Sequence, residues 1–254
     1  MGYATVNDTR LYYEDLGSGR PLVFLHGWGT SGRVWDAQAA DLMTDHRVIT
    51  LDMRGCGRSD RPATGYTIAE ATRDLLAFLD VLELDRPTLI GSSIAGAFLI
   101  EAALAAPDRI GAIVPADAGM HHFSRLQESM DELLANLHAD RAGTLAAFVP
   151  NWYRPGASTA MIDWTVRQLL DATPRIDGLV IDQAGYDPRP RLAQVRVPTH
   201  FLHGELDAEV PLSVPQECAD LIPAAHLTVI EGAGHMAQQD QAARFTQALR
   251  KILN

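Results

Sequence analysis

Three residues able to do chemistry together occur in the order Ser93, Asp207, His235, each shortly after an apolar run. Ser93 lies in Thr88-Leu89-Ile90-Gly91-Ser92-Ser93-Ile94-Ala95-Gly96, where such a run meets a helical pattern with no spacer. A side chain presented at so tight a strand-to-helix corner needs small residues two before and two after it, because larger ones collide. Ser93 has Gly91 and Ala95 at those positions, whereas Ser92 would have Ile90 and Ile94. Ser93 is therefore the candidate nucleophile. His235 follows Gly234, after the run 227–230 and the turn Glu231-Gly232-Ala233. An imidazole titrates near neutral pH, so it can take a serine proton and later return it to a leaving group. Asp207, between His203-Gly204 and Val210-Pro211, is the candidate acid that orients this imidazole and stabilises its protonated form. Glu205, Glu209 and Asp117 compete for the acid role. His26, His203, His121 and His122 compete with His235, but none of them follows the final run.

A serine nucleophile attacking a carbonyl also needs hydrogen-bond donors for the oxygen that becomes negative. The run 22–25 ends in His26-Gly27-Trp28-Gly29-Thr30. The backbone N–H of Trp28 and that of Ile94, directly after the nucleophile, are the candidate oxyanion donors. Donors preset in this way contribute ~3–4 kcal/mol each to transition-state stabilisation. This chemistry implies neither a metal nor an organic cofactor.

To bring these residues together, the chain must supply a sheet. Apolar runs at 4–6, 11–15, 22–25, 48–51, 88–90, 110–115, 199–202 and 227–230 read as strands. The first two alternate polar and apolar residues around Asn7-Asp8-Thr9, which predicts an edge hairpin. Helical periodicity covers 68–82, 95–106 and 242–253, with Leu75, Leu76, Leu79 and Leu82 on one stripe of the first. Strands alternating with helices predict a mostly parallel sheet covered on both faces. Between about 120 and 190 the pattern turns helical without strands, rich in large apolar residues and punctuated by five prolines from Pro150 to Pro190. Such a block, inserted between two strands of one sheet, reads as a cap over the edge where open α/β sheets bind ligands. Its large side chains, with those beside the two catalytic loops, give the candidate pocket: Trp28, Met120, Phe123, Phe148, Trp152, Tyr153, Trp164 and Met236.

The 254 residues suffice for one large α/β core, and 47% apolar with 21% charged residues is ordinary for a globular chain. A formal net charge of −11 repels phosphate backbones, so no nucleic-acid partner is expected, and neutral or cationic small molecules suit it better. No apolar stretch approaches the ~20 residues that span a bilayer, so no membrane partner is expected. The first ten residues lack a basic start followed by an apolar run, so no export signal is expected. Cys56 and Cys218 are far apart without metal-ligand spacing, which predicts small buried thiols in a reducing, cytoplasmic setting. The sequence carries no signal of oligomeric state.

Taken together, His26-Gly27-Trp28, the block Asp52-Met53-Arg54-Gly55-Cys56-Gly57-Arg58-Ser59-Asp60, the corner at Ser93, Asp207 with Pro211, and Gly234-His235 resemble the α/β-hydrolase superfamily from end to end. They are most similar to its small bacterial esterase, lactonase and cofactor-free haloperoxidase (perhydrolase) branch. The resemblance implies an α/β fold with a mostly parallel eight-stranded sheet of α/β-hydrolase type, helices on both faces and a helical cap. Residues 1–119 and 191–254 would form the core and 120–190 the cap. It also implies the catalytic roles already reasoned for Ser93, Asp207 and His235. The chain departs from the pattern at Ala95, where glycine is usual, at Gly29, where perhydrolase-like members often carry proline, and at Asp240-Gln241-Ala242, where glutamate-x-proline is usual. The first two weigh against peroxide chemistry more than against hydrolysis.

The expected activity is hydrolysis of small hydrophobic carboxylic esters or lactones through an acyl-enzyme on Ser93, with a small-molecule ester or lactone as partner. Perhydrolysis, C–C bond hydrolysis and a small-molecule receptor that retains the triad are the alternatives. A serine at position 93 speaks against dehalogenase and epoxide hydrolase chemistry, which need a carboxylate nucleophile. A different class is raised by Gly27-Trp28-Gly29-Thr30-Ser31-Gly32 with Asp52 some 20 residues on, the layout of a dinucleotide fingerprint. Against it stand the bulk of Trp28 inside the phosphate turn and the three residues it leaves without a role.

Overall fold

Leu22, Val23, Phe24 and Leu25 are all buried, as in a strand that is covered by helices on both faces. The computed structural model describes residues 1–118 and 126–253, and sets this strand near the middle of one eight-stranded sheet. Its strands are β1 (Gly2–Val6), β2 (Thr9–Gly17), β3 (Pro21–Leu25), β4 (Arg47–Leu51), β5 (Thr88–Ser92), β6 (Ala112–Ala116), β7 (His200–Gly204) and β8 (His226–Ile230). The spatial order is β1-β2-β4-β3-β5-β6-β7-β8. β2 pairs antiparallel with β1 and β4, and every other pairing is parallel. The sequence placed the sixth strand at 110–115. It starts later because Gly111 is spent on a close approach to Arg86, whose carbonyl oxygen would lie 2.4 Å from any Cβ there.

The described helices are α1 (Asp36–Leu42), α2 (Ile68–Val81), α3 (Ala95–Ala105), α4 (Leu126–Ala139), α5 (Arg141–Phe148), α6 (Thr159–Asp171), α7 (Asp177–Ala184), α8 (Arg189–Leu192), α9 (Ser213–Leu221), α10 (Ala237–Asp240) and α11 (Ala242–Leu253). From β3 the chain steps one way to β4, then crosses back over to β5 and continues to β6. Right-handed crossovers therefore put α1 on one face and α2 and α3 on the other. α1 packs against α11, and α2 against α3, as this requires. α2 starts where Thr67 Oγ1 accepts the Glu70 N–H at 3.1 Å, and buries Ile68, Ala71, Leu75, Phe78 and Leu79. α3 is buried almost all round, which explains its run of alanine, phenylalanine, leucine and isoleucine. α4 to α8 all fall between β6 and β7.

The reversal of strand order between β3 and β5 is a topological switch point, where the loops leaving the two strands part and open a crevice. The block after β4 fixes the walls of that crevice. Asp52 accepts the Gly32 N–H at 2.7 Å and the Arg58 N–H at 2.9 Å, tying the loop after β3 to the loop after β4. His26 Nε2 accepts the Met53 N–H at 2.9 Å. Arg54, 2% exposed, donates Nε and Nη2 to both oxygens of fully buried Asp74 on α2, at 2.6 and 3.0 Å. It also reaches the Thr64 carbonyl and Asp8. Asp52 and His26 are thus consumed by loop anchoring. Gly29, at φ 67°, packs against Leu169 of α6, and a Cβ there would lie 2.3 Å from Leu169 Cδ2. The middle glycine of that dinucleotide-like stretch is thus covered by α6. Both cysteines are free and buried, and burial raises their thiol pKa values.

Removing Asp74 takes the fully buried carboxylate from a guanidinium left with Asp8, Glu70 and the Thr64 carbonyl, and breaking a buried pair typically costs about 3 kcal/mol or more. Asp74→Ala is expected to lower unfolding stability by that order in urea titration. A change within experimental error would mean that the clamp adds nothing to the fold.

Candidate active site

Ser93 adopts φ 55°, a left-handed conformation that costs a non-glycine residue roughly 1–2 kcal/mol. β5 on one side and α3 on the other hold it there, and its N–H donates to the Ala116 carbonyl at 2.8 Å. A Cβ built on Gly91 would lie 3.0 Å from Ala95 Cβ, and one on Gly27 would lie 3.1 Å from Ser93 Cβ. Positions 91 and 95 therefore face each other across the corner, and one glycine suffices. This is why alanine is accepted at 95. Ser92 sits within β5, paired with Ala116.

The acid and histidine come from the ends of β7 and β8. Asp207 Oδ1 accepts the N–H groups of Glu209 and Val210 at 2.8 and 2.9 Å, which turns Oδ2 toward the histidine. His235 Nδ1 lies 2.9 Å from Asp207 Oδ2, and its Nε2 lies 3.1 Å from Ser93 Oγ. With the proton on Nδ1 donated to Asp207, Nε2 is the acceptor facing the hydroxyl. Gly234 lets the histidine loop press on the segment after α5, since a Cβ there would lie 2.8 Å from the Trp152 carbonyl oxygen. Asp240 Oδ2 staples the same junction by accepting the Gly234 and Arg154 N–H groups at 2.9 and 2.6 Å.

The competing residues have other work. Glu205 accepts the Gly232 N–H at 2.9 Å and closes the turn before His235. His203 Nε2 donates to the Val210 carbonyl at 3.0 Å, behind Asp207. Asp117, fully buried at φ 48°, accepts the Gly204 N–H at 2.7 Å and the Ala237 N–H at 3.2 Å. It links the loop that carries the acid to the loop that carries the histidine. Asp117, His203 and Asp207 bring ligand-type atoms within 4.8 Å of one another, but the carboxylate oxygens are spent on these internal hydrogen bonds. His121 and His122 lie outside the described residues.

The electrostatics follow from packing. Burial alone would push the His235 imidazole down, but the charge and hydrogen bond of Asp207, with Asp117 and Glu209, raise it to about 9. Burial pushes Asp207 up, and the charge and hydrogen bond of His235, with His203 behind, bring it below the usual carboxylate value. Asp117 has burial first and the Asp207 charge second against ionisation, which raises it well above that range. Asp117 thus favours its neutral form, Asp207 its charged form.

Above Ser93 is a compact chamber of about 90 Å³. The sheet side contributes Gly27, Trp28, Thr30 and Ser92, and the late loops contribute Glu209, Val210, His235 and Met236. Met130, Leu133, Phe148, Trp152, Val180 and Gln183 come from the inserted helices. Four of the pocket residues read from the sequence, Trp28, Phe148, Trp152 and Met236, line it. Tyr153 instead bonds Thr165 and Gln239 at 2.6 and 2.8 Å, and Trp164 lies over Arg33 in an outer groove. Met120 and Phe123 lie outside the described residues. Met130, Leu133, Val180 and Gln183 escaped sequence reading because the helix face turned to the chamber is set by docking and not by residue type. Neither the Trp28 nor the Ile94 backbone N–H donates a hydrogen bond among the described residues, and both flank Ser93.

A family model described as alpha/beta hydrolase fold matches residues 20–242. A Bacillus subtilis (strain 168) protein named AB hydrolase superfamily protein YisY is 28% identical, over 98% of this chain and 97% of that one. Among solved structures, an esterase from Exiguobacterium antarcticum has a TM-score of 0.94 at 27% identity, covering 99% of both chains. A bromoperoxidase from Bacillus anthracis has a TM-score of 0.92 at 29% identity, again over 99% of both.

The Asp207–His235 contact generates a spectroscopic expectation. The His235 imidazole should titrate above its ordinary value of about 6.5, and Asp207→Asn should move it down. NMR titration of the ring checks this, and equal midpoints in the two proteins would contradict the coupling.

Proposed function

The chain belongs to the alpha/beta-hydrolase fold family, and from that premise we propose that it is a serine hydrolase of small carboxylic esters or lactones. One observation carries the reading: an unbroken contact chain from Asp207 through His235 to Ser93, at 2.9 and 3.1 Å. In this reading the substrate carbonyl lies over Ser93 with its oxygen toward the Trp28 and Ile94 N–H groups. His235 takes the Ser93 proton as Oγ attacks the carbonyl carbon, and Asp207 holds the imidazolium that forms. Collapse of the tetrahedral intermediate expels the alcohol, which receives the proton from His235. Water then repeats the sequence on the acyl-enzyme and regenerates Ser93. Only neutral His235 can act as the base, so kcat/KM should rise with pH and level off above the ordinary imidazole range.

The inserted helices α4 to α8, the described part of the 120–190 block, act here as a cap, since the apolar side chains of α4, α5 and α7 roof the chamber. The chamber is compact, about 90 Å³, and opens on one side. A short acyl group fits it best. Perhydrolysis is the second reading, favoured by the likeness to the bromoperoxidase. Gly29 weighs against it: at φ 67° that position is closed to proline, which requires φ near −65°.

Ser93→Ala should lower p-nitrophenyl acetate hydrolysis by about 10⁴-fold or more while leaving the circular dichroism spectrum unchanged. Wild-type turnover in that variant would end the proposal. In the wild type, kcat/KM should fall about tenfold or more from p-nitrophenyl acetate to the octanoate. A flat chain-length series would mean that the chamber does not bound the acyl group.

A further inference from the structure

The chamber beside Ser93 carries one acidic side chain that the Asp207–His235–Ser93 chain does not use. Glu209 lines it together with Trp28, Phe148, Trp152 and Met236. Its backbone is fixed there, since the Glu209 N–H donates to Asp207 Oδ1 at 2.8 Å. Its carboxylate makes no hydrogen bond or ion pair among the described residues, unlike Glu205, which closes a turn. Burial raises its pKa, the charge of His235 opposes that, and Asp207 adds to it. A half-buried carboxylate without a partner is costly to keep ionised, and an arriving cation removes that cost.

The neighbouring walls suit the same guest. Trp28 and Trp152 meet edge to face with ring centroids 6.4 Å apart, and Phe148 meets Trp152 likewise at 5.7 Å. Aromatic faces attract cations, most of all weakly hydrated ammonium groups. The guanidinium nearest this wall, that of Arg141 at 5.8 Å from the Trp28 ring, is already paired with both oxygens of Asp177 at 2.7 and 3.2 Å. The formal net charge of −11 favours approach of a positive ligand over a negative one.

We propose that Glu209 and the Trp28–Trp152–Phe148 wall form a cation subsite, so that the preferred ester carries an ammonium group. This deepens the hydrolase reading above and rests on it.

Acetylcholine and 3,3-dimethylbutyl acetate differ only in a charged nitrogen replacing a carbon. The wild type should favour the choline ester in kcat/KM by about tenfold or more, and Glu209→Gln should bring the ratio to near one. A wild-type ratio near one, with both esters hydrolysed, overturns the subsite and leaves ester hydrolysis standing. A preference that survives in Glu209→Gln overturns the part assigned to Glu209. If neither ester nor p-nitrophenyl acetate turns over, the hydrolase reading fails, and binding decides the subsite by itself. Tetramethylammonium, followed by tryptophan fluorescence, should then bind the wild type about tenfold more tightly than Glu209→Gln. Equal or absent binding overturns the subsite.

Discussion

The steric constraint at residue 93 governs the rest of the site. A serine held at φ 55° persists only where surrounding structure over-determines it, and here a buried strand, a buried helix and the loop after β3 all press on it. The strain is local, but the supports are distributed across the sheet. Gly27 must lack a side chain to approach Ser93, and Gly91 must lack one to face Ala95. The loop carrying Gly27 and Trp28 is in turn held by Asp52 and His26, and the loop carrying those contacts is clamped to α2 through Arg54 and Asp74. The distinctive block after β4 is a brace for the crevice, with its polar groups spent on anchoring.

Around one imidazole the fold places three carboxyl groups in three conditions. Asp207 accepts two backbone N–H groups and faces the ring directly, which keeps it ionised. Asp117 lies deeper, where burial and the Asp207 charge outweigh the compensating charge of the ring, and ties the acid and histidine loops through backbone contacts. Glu209 is turned to the chamber and its carboxylate has no bonded partner among the described residues. Residue type is nearly the same in all three. Burial, distance and hydrogen bonding separate an acid bonded to the ring, a structural tie and a carboxylate facing the chamber.

The chamber also shows how the inserted helices differ from the core. α2 and α11 bury apolar stripes against the sheet, so their periodicity announces which side is inside. α4, α5 and α7 divide their apolar residues between packing on one another and lining a cavity. A tryptophan at 152 or a tyrosine at 153 looks the same in the text, although one faces the chamber and the other bonds Thr165.

The strand-to-helix corner, the chain order of serine, acid and histidine, the helical insertion and the alternation of strands with helices were legible in the amino-acid sequence. Each depends on neighbours a few residues apart, whose sterics and periodicity are written locally. The later start of β6, the choice of Trp28, Phe148, Trp152 and Met236 over Tyr153 and Trp164 as chamber walls, and the separate conditions of Asp117, Asp207 and Glu209 were decided by tertiary structure. These depend on which distant segments touch, how much water they exclude and which backbone N–H groups arrive with them, and no run of neighbouring residues encodes that.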